Sequence, residues 1–333
     1  MTTLVTGATG LVGGELVDQL LASGERVRAF IRDEHAAASL RERGVEVVIG
    51  DVRDPHAFDR PIEGADVVLH CAAAVGRHFS KGVIYETNLA PLGRLLVSLG
   101  RAGRGRLVFI SSVNVLGTRN LDPATEDLPC RYSHDPAADV KVDAERLLQS
   151  YQGRIDATVI RPGCIYGARD RHNLPKLVRS LQRGKFAYIG SRDNIVPIVH
   201  VSDVAQAALL AARAPIAAGR LYNVTDGSRT TIGEFVDCLA QQLGCPAPRK
   251  VLPYLLPYLG CRFFDLLRLF ANVPPPINQA GLRFLGTSRY VDISRARREL
   301  GYTPRVHYRE GIAAALPACK EQQHGKTAVE TCA

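Results

Sequence analysis

Three glycines at three-residue spacing stand within the first thirteen residues, in Thr6-Gly7-Ala8-Thr9-Gly10-Leu11-Val12-Gly13. Each occupies a place that a Cβ would spoil. Gly7 permits a tight turn off a strand, Gly10 lets backbone approach a pyrophosphate, and Gly13 lets a helix close on the strand. A helix N-terminus behind such a loop offers N–H groups and the positive end of its dipole to an anion. Thr9, Leu11 and Val12 therefore join Gly7 and Gly10 as candidate phosphate-binding positions. Glycine turns also serve as plain connectors. The placement between an apolar run and a helical segment over 11–23 favours the phosphate reading.

Further along, other residues suit the rest of a dinucleotide. Arg32-Asp33 ends a second apolar run, where a carboxylate would bind two ribose hydroxyls and an arginine would pair with a 2′-phosphate. Arg32 comes first, which tips the cofactor towards NADP over NAD. As a bland alternative, Arg32 is an exposed charge at a strand end. Asp51 is placed to accept from an adenine amino group, with Val52 against the ring. The small residues after His70, among them Ala72 and Ala73, leave room for a dinucleotide across the strand ends. His70 lacks partners at metal-ligand spacing and reads as a core histidine; no metal site is expected.

The elements that position these residues alternate. Strands are expected at the start of the chain and over 26–31, 45–49, 66–70, 106–110 and 155–160. Helices are expected over 11–23, 82–100 (with Tyr85 and Asn88) and 138–150. That rhythm implies an α/β fold with a doubly wound parallel sheet and the ligand across its C-terminal strand ends. Beyond residue 168 the pattern loosens. Helices fall over 173–184 and 230–243, the latter with Thr231 as N-cap and Glu234 three residues on. Residues 199–204 read as a strand entering a capped helix that runs to Arg213, and residues 221–224 as a further strand of the main sheet. A greasy, kinked helical segment covers 253–272, and Pro274-Pro275-Pro276 ends it.

At 333 residues, with 46% apolar and 23% charged residues, the chain suits one large α/β domain or two tightly joined ones. The net charge of +9 is spread along the chain and aromatics are only 6%, so a nucleic-acid partner is not expected. Eight cysteines without a C-x-x-C pair suit reduced thiols. No leader is evident and the greasy region is too interrupted to span a bilayer, so a cytoplasmic location is expected. Peripheral membrane contact through residues 251–273 is a further expectation.

Together Thr6-Gly7-x-x-Gly10-x-x-Gly13, Gly50-Asp51-Val52-x-Asp54, Ser111-Ser112-x-x-Val115-x-Gly117, Arg161-Pro162 with Tyr166-Gly167, and His200-Val201-x-Asp203-Val204 resemble an extended short-chain dehydrogenase/reductase. The likeness runs over about residues 2–316. Asp170 to Leu177, the greasy segment and Leu300-Gly301-Tyr302-x-Pro304 make it most similar to the 3β-hydroxysteroid dehydrogenase branch, beside NAD-dependent epimerases. The resemblance implies a Rossmann sheet over 1–168, with 200–226 returning to it. It also implies a smaller C-terminal substrate-binding domain from 169–199 and 227–319; residues 320–333 are expected to be a disordered tail. Ser111, Lys141, Pro162 and Ile165 become cofactor contacts by this likeness. Ser112, Asn114, Tyr166 and Asn173 become substrate contacts, and a homodimer is expected.

The family's chemistry rests on a Tyr-x-x-x-Lys pair and an upstream Ser. The lysine ammonium lowers the tyrosine pKa so that the phenol exchanges a proton with the substrate oxygen. Lys141 and Ser112 match two of these three catalytic positions, and Glu145 fixes the register. Four residues before Lys141 stands Ala137, which carries no proton. Tyr132 is nine residues before the lysine and Asp139 only two; His134 and Asp135 lie in the preceding loop. Either the tyrosine of a dehydrogenase has been replaced by alanine by design, or a natural member binds dinucleotide for a structural, sensing or other chemical role.

The leading expectation is an NAD(P)-dependent alcohol/ketone oxidoreductase acting on a hydrophobic sterol-, steroid- or polyketide-like small molecule, impaired by Ala137. Tyr254, Leu255, Tyr258, Phe263, Phe264 and Leu267 would line its apolar pocket. One alternative is a nucleotide-sugar epimerase or dehydratase, with Arg179, Arg183, Lys185 and Arg192 holding a second pyrophosphate. Another is a non-catalytic NAD(P)-binding sensor.

Overall fold

The computed structural model describes residues 1–74, 79–103, 105–117, 119–267, 282 and 285–330. Its centre is a seven-stranded sheet: β1 (Thr2–Thr6), β2 (Arg26–Ile31), β3 (Glu46–Ile49), β4 (Val67–His70), β5 (Arg106–Ile110), β6 (Ala157–Pro162) and β7 (Leu221–Val224). The spatial order is β7-β6-β5-β4-β1-β2-β3. Every neighbouring pair is parallel. The order reverses between β1 and β4, which opens a crevice at the C-terminal ends of those two strands.

Both faces of the sheet are covered, so its strands read as unbroken apolar runs rather than alternating ones. Within β5, Val108 and Ile110 enter one core while Leu107 and Phe109 enter the other. The first face carries α1 (Leu11–Ala22) and α2 (His35–Glu42). The second carries α4 (Ala90–Ala102) and α5 (Pro136–Ser150), with α3 (Lys81–Asn88) preceding α4.

The C-terminal half adds α6 (Leu174–Gln182), α7 (Val201–Arg213), α8 (Ile232–Leu243), α9 (Leu255–Leu267), α10 (Ser294–Leu300) and α11 (Tyr308–Glu330). Helix α7 returns to the first face of the sheet, where Val204, Ala208 and Ala211 are fully buried. Helices α6, α8 and α11 build a separate core around Val178, Val236 and Ile312. The expected capping box forms on α8: Glu234 N–H donates to Thr231 Oγ1 and Thr231 N–H donates to the Glu234 carboxylate.

Two expectations change, and one strand pairing was not expected. The single helix over 82–100 is two helices that break at Leu89, because Pro91 has no N–H for the turn below and its ring crowds the carbonyl four residues back. The short strand Arg289–Val291 pairs with Leu121–Ala124, a contact across 168 residues that local periodicity does not reveal. Helix α11 runs on to Glu330 through the expected disordered tail, since its packed first turns nucleate a helix that Lys, Glu, Gln and Ala readily extend. The three consecutive prolines at 274–276 lie outside the described residues.

Candidate active site

The crevice between β1 and β4 is assembled from the glycine loop. Gly7 has φ +69°, and a Cβ there would stand 2.8 Å from the Ala72 backbone nitrogen. A Cβ on Gly13 would stand 2.2 Å from the Gly7 carbonyl oxygen, so loop, helix and the segment after β4 meet only because both residues are glycine. Gly10 caps α1, and no side chain bonds to that end. Thr9 and Gly10 are exposed and Leu11 and Val12 half-buried, as an anion cradle requires. Thr6 Oγ1 accepts from Ala72 N–H at 3.2 Å and meets His70 Nδ1 at 2.9 Å. His70 is buried against Phe109, and burial above all, with the Lys141 charge, holds its pKa down to about 3. It is a neutral core histidine.

Beside the crevice, Arg32 is exposed, while the Asp33 carboxylate accepts from His35 N–H at the start of α2. Asp51 receives Arg53 through its backbone N–H, Nε and Nη2, the last at 2.6 Å. That hydrogen bond, with Arg32 adding its charge, keeps the Asp51 carboxyl below the usual carboxylate range. Val52 packs into the second core. Ala72 and Ala73 are half-buried, and the next residue, Ala74, is clamped by Asn88 through N–H to Oδ1 at 2.6 Å and Nδ2 to O at 3.2 Å. The Asn88 clamp carries no motif; a polar residue on the inward face of α3 was the available sign.

The end of β5 separates the two serines. Ser111 Oγ donates to Glu145 Oε1 at 2.5 Å, and Glu145 receives Arg161 through Nε and Nη2, the shortest contact being 2.6 Å. The Ser111 side chain thus belongs to a buried network tying β5, α5 and β6 together. Ser112, half-buried, faces the other way: its Oγ accepts from Asn114 N–H at 3.2 Å and caps a 3-10 turn over Val113–Leu116. Asn114 Oδ1 in turn accepts from Arg289 Nη1 at 3.0 Å. Arg289 is 2% exposed, and burial lowers its pKa to about 10. No sequence motif signals Arg289, because the pairing of Arg289–Val291 with Leu121–Ala124 brings it to the serine loop.

Lys141 is half-buried on α5. Its ammonium donates to the Ile110 carbonyl at 2.7 Å and lies 4.4 Å from the centre of the Phe109 ring. Burial lowers its pKa to about 8, and Cys71 and Glu145 act weakly the other way. One helical turn before it, in the first turn of α5, Ala137 presents a methyl group. The neighbouring groups are engaged elsewhere. Tyr132 hydroxyl donates to Asp143 Oδ1 at 2.5 Å and accepts from Arg146 at 2.6 Å. Tyr85 donates to the other Asp143 oxygen. Asp139 accepts from Ser133 N–H at 2.7 Å, and Asp135 caps the helix through Ala137 N–H. His134 is exposed at φ +61°.

Two expected substrate contacts lie elsewhere. Tyr166 is 4% exposed and wedged edge-on between His200 and Phe235 in the C-terminal core, because a phenol ring on this short strand fills the gap beneath Gly311. Asn173 is exposed at the start of α6; the side chain that builds that turn is Asp170, which accepts from the N–H groups of residues 172, 173 and 174. Pro162 closes β6 as a buried residue, and Ile165 is half-buried on Cys164–Tyr166. Of the expected apolar pocket, Tyr254 and Tyr258 stack inward, whereas Leu255 is 62% exposed. It points outward because it stands one helical position away from the inward row. The side chains of Phe263, Phe264 and Leu267 lie outside the described residues.

The chain is similar to known proteins. A model of the NAD dependent epimerase/dehydratase family matches residues 3–225. The chain is 34% identical over 315 residues to sterol demethylase protein B of Methylococcus capsulatus, a match spanning 91% of this chain and 94% of the relative. It is 29% identical over 326 residues to a 4-hydroxy-2-methyl-3-oxo-4-farnesyl-3,4-dihydroquinoline-1-oxide ketoreductase of Stigmatella aurantiaca, over 96% of each chain. A solved structure of MoeE5 in complex with UDP-glucuronic acid and NAD superposes with a TM-score of 0.74 at 25% identity, over 96% of this chain and 99% of that one.

Proposed function

The chain belongs to the NAD dependent epimerase/dehydratase family, and from that premise we propose that it is built as an alcohol/ketone oxidoreductase for a hydrophobic small molecule, with turnover held back by Ala137. The observation that supports the reading is the Lys141 ammonium on α5 bound to the Ile110 carbonyl, two residues before Ser112, in a sheet whose β1–α1 turn is a glycine loop with no room for a Cβ at Gly7 or Gly13. Gly7, Gly10, Leu11 and Val12 would hold the pyrophosphate, and Ala72 and Ala73 the span across the strand ends. When bound, a nicotinamide dinucleotide supplies or accepts hydride at the substrate's carbinol carbon.

The protein's own groups supply the rest. Ser112 Oγ accepts from Asn114, which leaves its own hydrogen for the substrate oxygen. Lys141 spends one of three donors on Ile110 and keeps two for the cofactor ribose and the proton-carrier position. That position is Ala137, and Tyr132, Asp139 and Asp135 are already engaged. Exposed Arg32, with Asp33 occupied at the start of α2, supports NADP(H) over NAD(H). Pairing through α4 and α5 into a homodimer, and a reducing cytoplasm for its free thiols, complete the proposal.

A nucleotide-sugar substrate is the second reading, favoured by the likeness to MoeE5. Against it, Arg192 is engaged by Asp237 at 2.5 Å and stacks on Tyr188. The test is calorimetric titration with NADP(H) and NAD(H), followed by turnover of sterol and alkyl ketone substrates by the chain and by Ala137→Tyr. Binding by both with turnover by Ala137→Tyr is expected. Strong turnover by the chain as it stands would remove Ala137 from the tyrosine role. Dinucleotide binding without turnover in either would favour the sensor.

A further inference from the structure

Where β2 and β3 end, four charged side chains follow within four residues: Arg32, Asp33, Asp51 and Arg53. Ile31 and Ile49 stand opposite each other in the strand register, and Gly50 N–H donates to the Ile31 carbonyl at 2.9 Å. Arg32 and Asp51 therefore leave neighbouring strands side by side, and Asp51 feels the Arg32 charge. Asp33 is turned towards α2, where its carboxylate accepts from His35 N–H at 3.0 Å.

Asp51 is covered by its near neighbour. Its Oδ1 accepts from Arg53 N–H at 2.9 Å and from Arg53 Nε at 3.0 Å, and its Oδ2 accepts from Arg53 Nη2 at 2.6 Å. The guanidinium lies fork-on-fork against the carboxylate, the geometry in which an arginine pair is strongest. The Arg53 hydrogen bond above all keeps the Asp51 carboxyl below the usual carboxylate range, so at neutral pH the group is a full negative charge. Asp54 and Glu86 act on Arg53 only through their charge. Arg53 fills the unassigned position of Gly50-Asp51-Val52-x-Asp54, and no part of the reading above uses it.

We propose that Arg53 is a positioning residue for cofactor choice that acts through Asp51: by neutralising that carboxylate it lets Arg32 receive the 2′-phosphate of NADP(H). The inference rests on the NADP(H) reading above and adds a residue to it. A 2′-phosphate brings about two negative charges at neutral pH, which a bare carboxylate beside Arg32 repels and a paired one does not. The ribose diol of NAD(H) has no charge there and is indifferent to the pair. The guanidinium fork takes one edge of the carboxylate, so lone pairs remain for the adenine amino group. Arg53 thus reconciles two tasks that a bare Asp51 would set against each other, recognition of adenine and admission of a phosphate.

Calorimetric titration of the full chain with NADP+ and with NAD+ tests this, with thermal melts as the control for folding. Arg53→Gln should weaken NADP+ binding about tenfold or more and NAD+ binding less than about threefold, because only the phosphate meets the uncovered charge. Adding Asp51→Asn to Arg53→Gln removes that charge, while the amide oxygen still accepts from adenine. The pair should return NADP+ affinity to within about threefold of the unmodified chain. Equal losses for the two cofactors in Arg53→Gln, or no loss, would overturn the proposal. So would a loss that Asp51→Asn does not repair, since Arg53 would then touch the phosphate itself. Arg32→Gln tests the underlying reading separately. If it changes neither affinity, Arg32 does not hold the phosphate and the NADP(H) reading falls, whereas the Arg53 comparison is read from its own change in NADP+ affinity. No binding of NADP+ by the unmodified chain would remove both.

Discussion

Lys141 Nζ donates to the Ile110 carbonyl at 2.7 Å, so the last residue of β5 and the middle of α5 are fastened through a charged group. The contact holds the lysine, one helical turn beyond Ala137, against the end of β5 two residues before Ser112. A phenol placed at 137 would find its partner already in position. In Ala137→Tyr, further substitution Lys141→Met should therefore erase the gained turnover by about 10²-fold or more, since the phenol loses the charge that lowers its pKa. Steady-state kcat measured against pH checks this: the double variant should need a more alkaline pH for whatever rate remains. Equal rates with and without Lys141 would show that the lysine does not act on residue 137.

His70 sets an acid limit. Its folded pKa is lowered from 6.5 to about 3, first by burial and then by the Lys141 charge. In the unfolded chain the ring binds a proton near pH 6.5, so the unfolded state takes up more protons between pH 6.5 and 3. Stability is fully present above pH 6.5 and falls as pH drops towards 3, by up to about 5 kcal/mol for this group alone. His70→Gln, which can keep the Thr6 contact without titrating, should show a flatter fall of urea midpoint over that window. Parallel curves for the two proteins would refute the assignment.

Much of this architecture was legible in advance because it is local. Strand–loop–helix periodicity located all seven central strands to within two residues, and the Gly7, Gly10 and Gly13 spacing announced a turn where a Cβ on Gly7 or Gly13 would meet backbone. Ser112 and Lys141 came from the family resemblance instead, as its expected serine and lysine positions. Tyr166 was not legible: its motif places it near the crevice in sequence, but the aromatic partners that bury it, His200 and Phe235, come from later elements. Arg289 was missed and Asn88 was named without a role, because only tertiary contacts with Asn114 and Ala74 give them one. The break at Leu89 was written in Pro91 and overridden by the long apolar period around it.

The glycine loop supports a paired test. Gly13→Ala puts a methyl group 2.2 Å from the Gly7 carbonyl, where backbone cannot yield cheaply. It should cost about 3 kcal/mol or more and abolish dinucleotide binding. Gly100→Ala, on α4 with nothing within 4 Å of the new methyl, should instead stabilise by about 0.5–1 kcal/mol. Thermal melts of the two variants should move in opposite directions, cofactor titration should change in Gly13→Ala alone, and a tolerated Gly13→Ala would contradict the close packing at Gly7.

The Arg161–Glu145 pair makes a stronger claim, because it supports the site without touching it. Both side chains are almost fully buried, the guanidinium reaches both carboxylate oxygens, and Ser111 adds a further hydrogen bond. Glu145→Gln keeps the volume but leaves the arginine charge uncompensated in a site water does not reach, which should cost about 3–5 kcal/mol. Removing both charges in Glu145→Met, Arg161→Met leaves no such charge and should recover much of that loss, so the two single costs will exceed the double. Urea midpoints at constant slope give the comparison. The network also holds β5 to β6 just behind Ser112, so Glu145→Gln should weaken substrate binding in the Ala137→Tyr background while the stable double variant retains it. If the two single costs simply add, the pair is not coupled, and the placement of Ser112 must rest on Lys141 and the end of β5 alone.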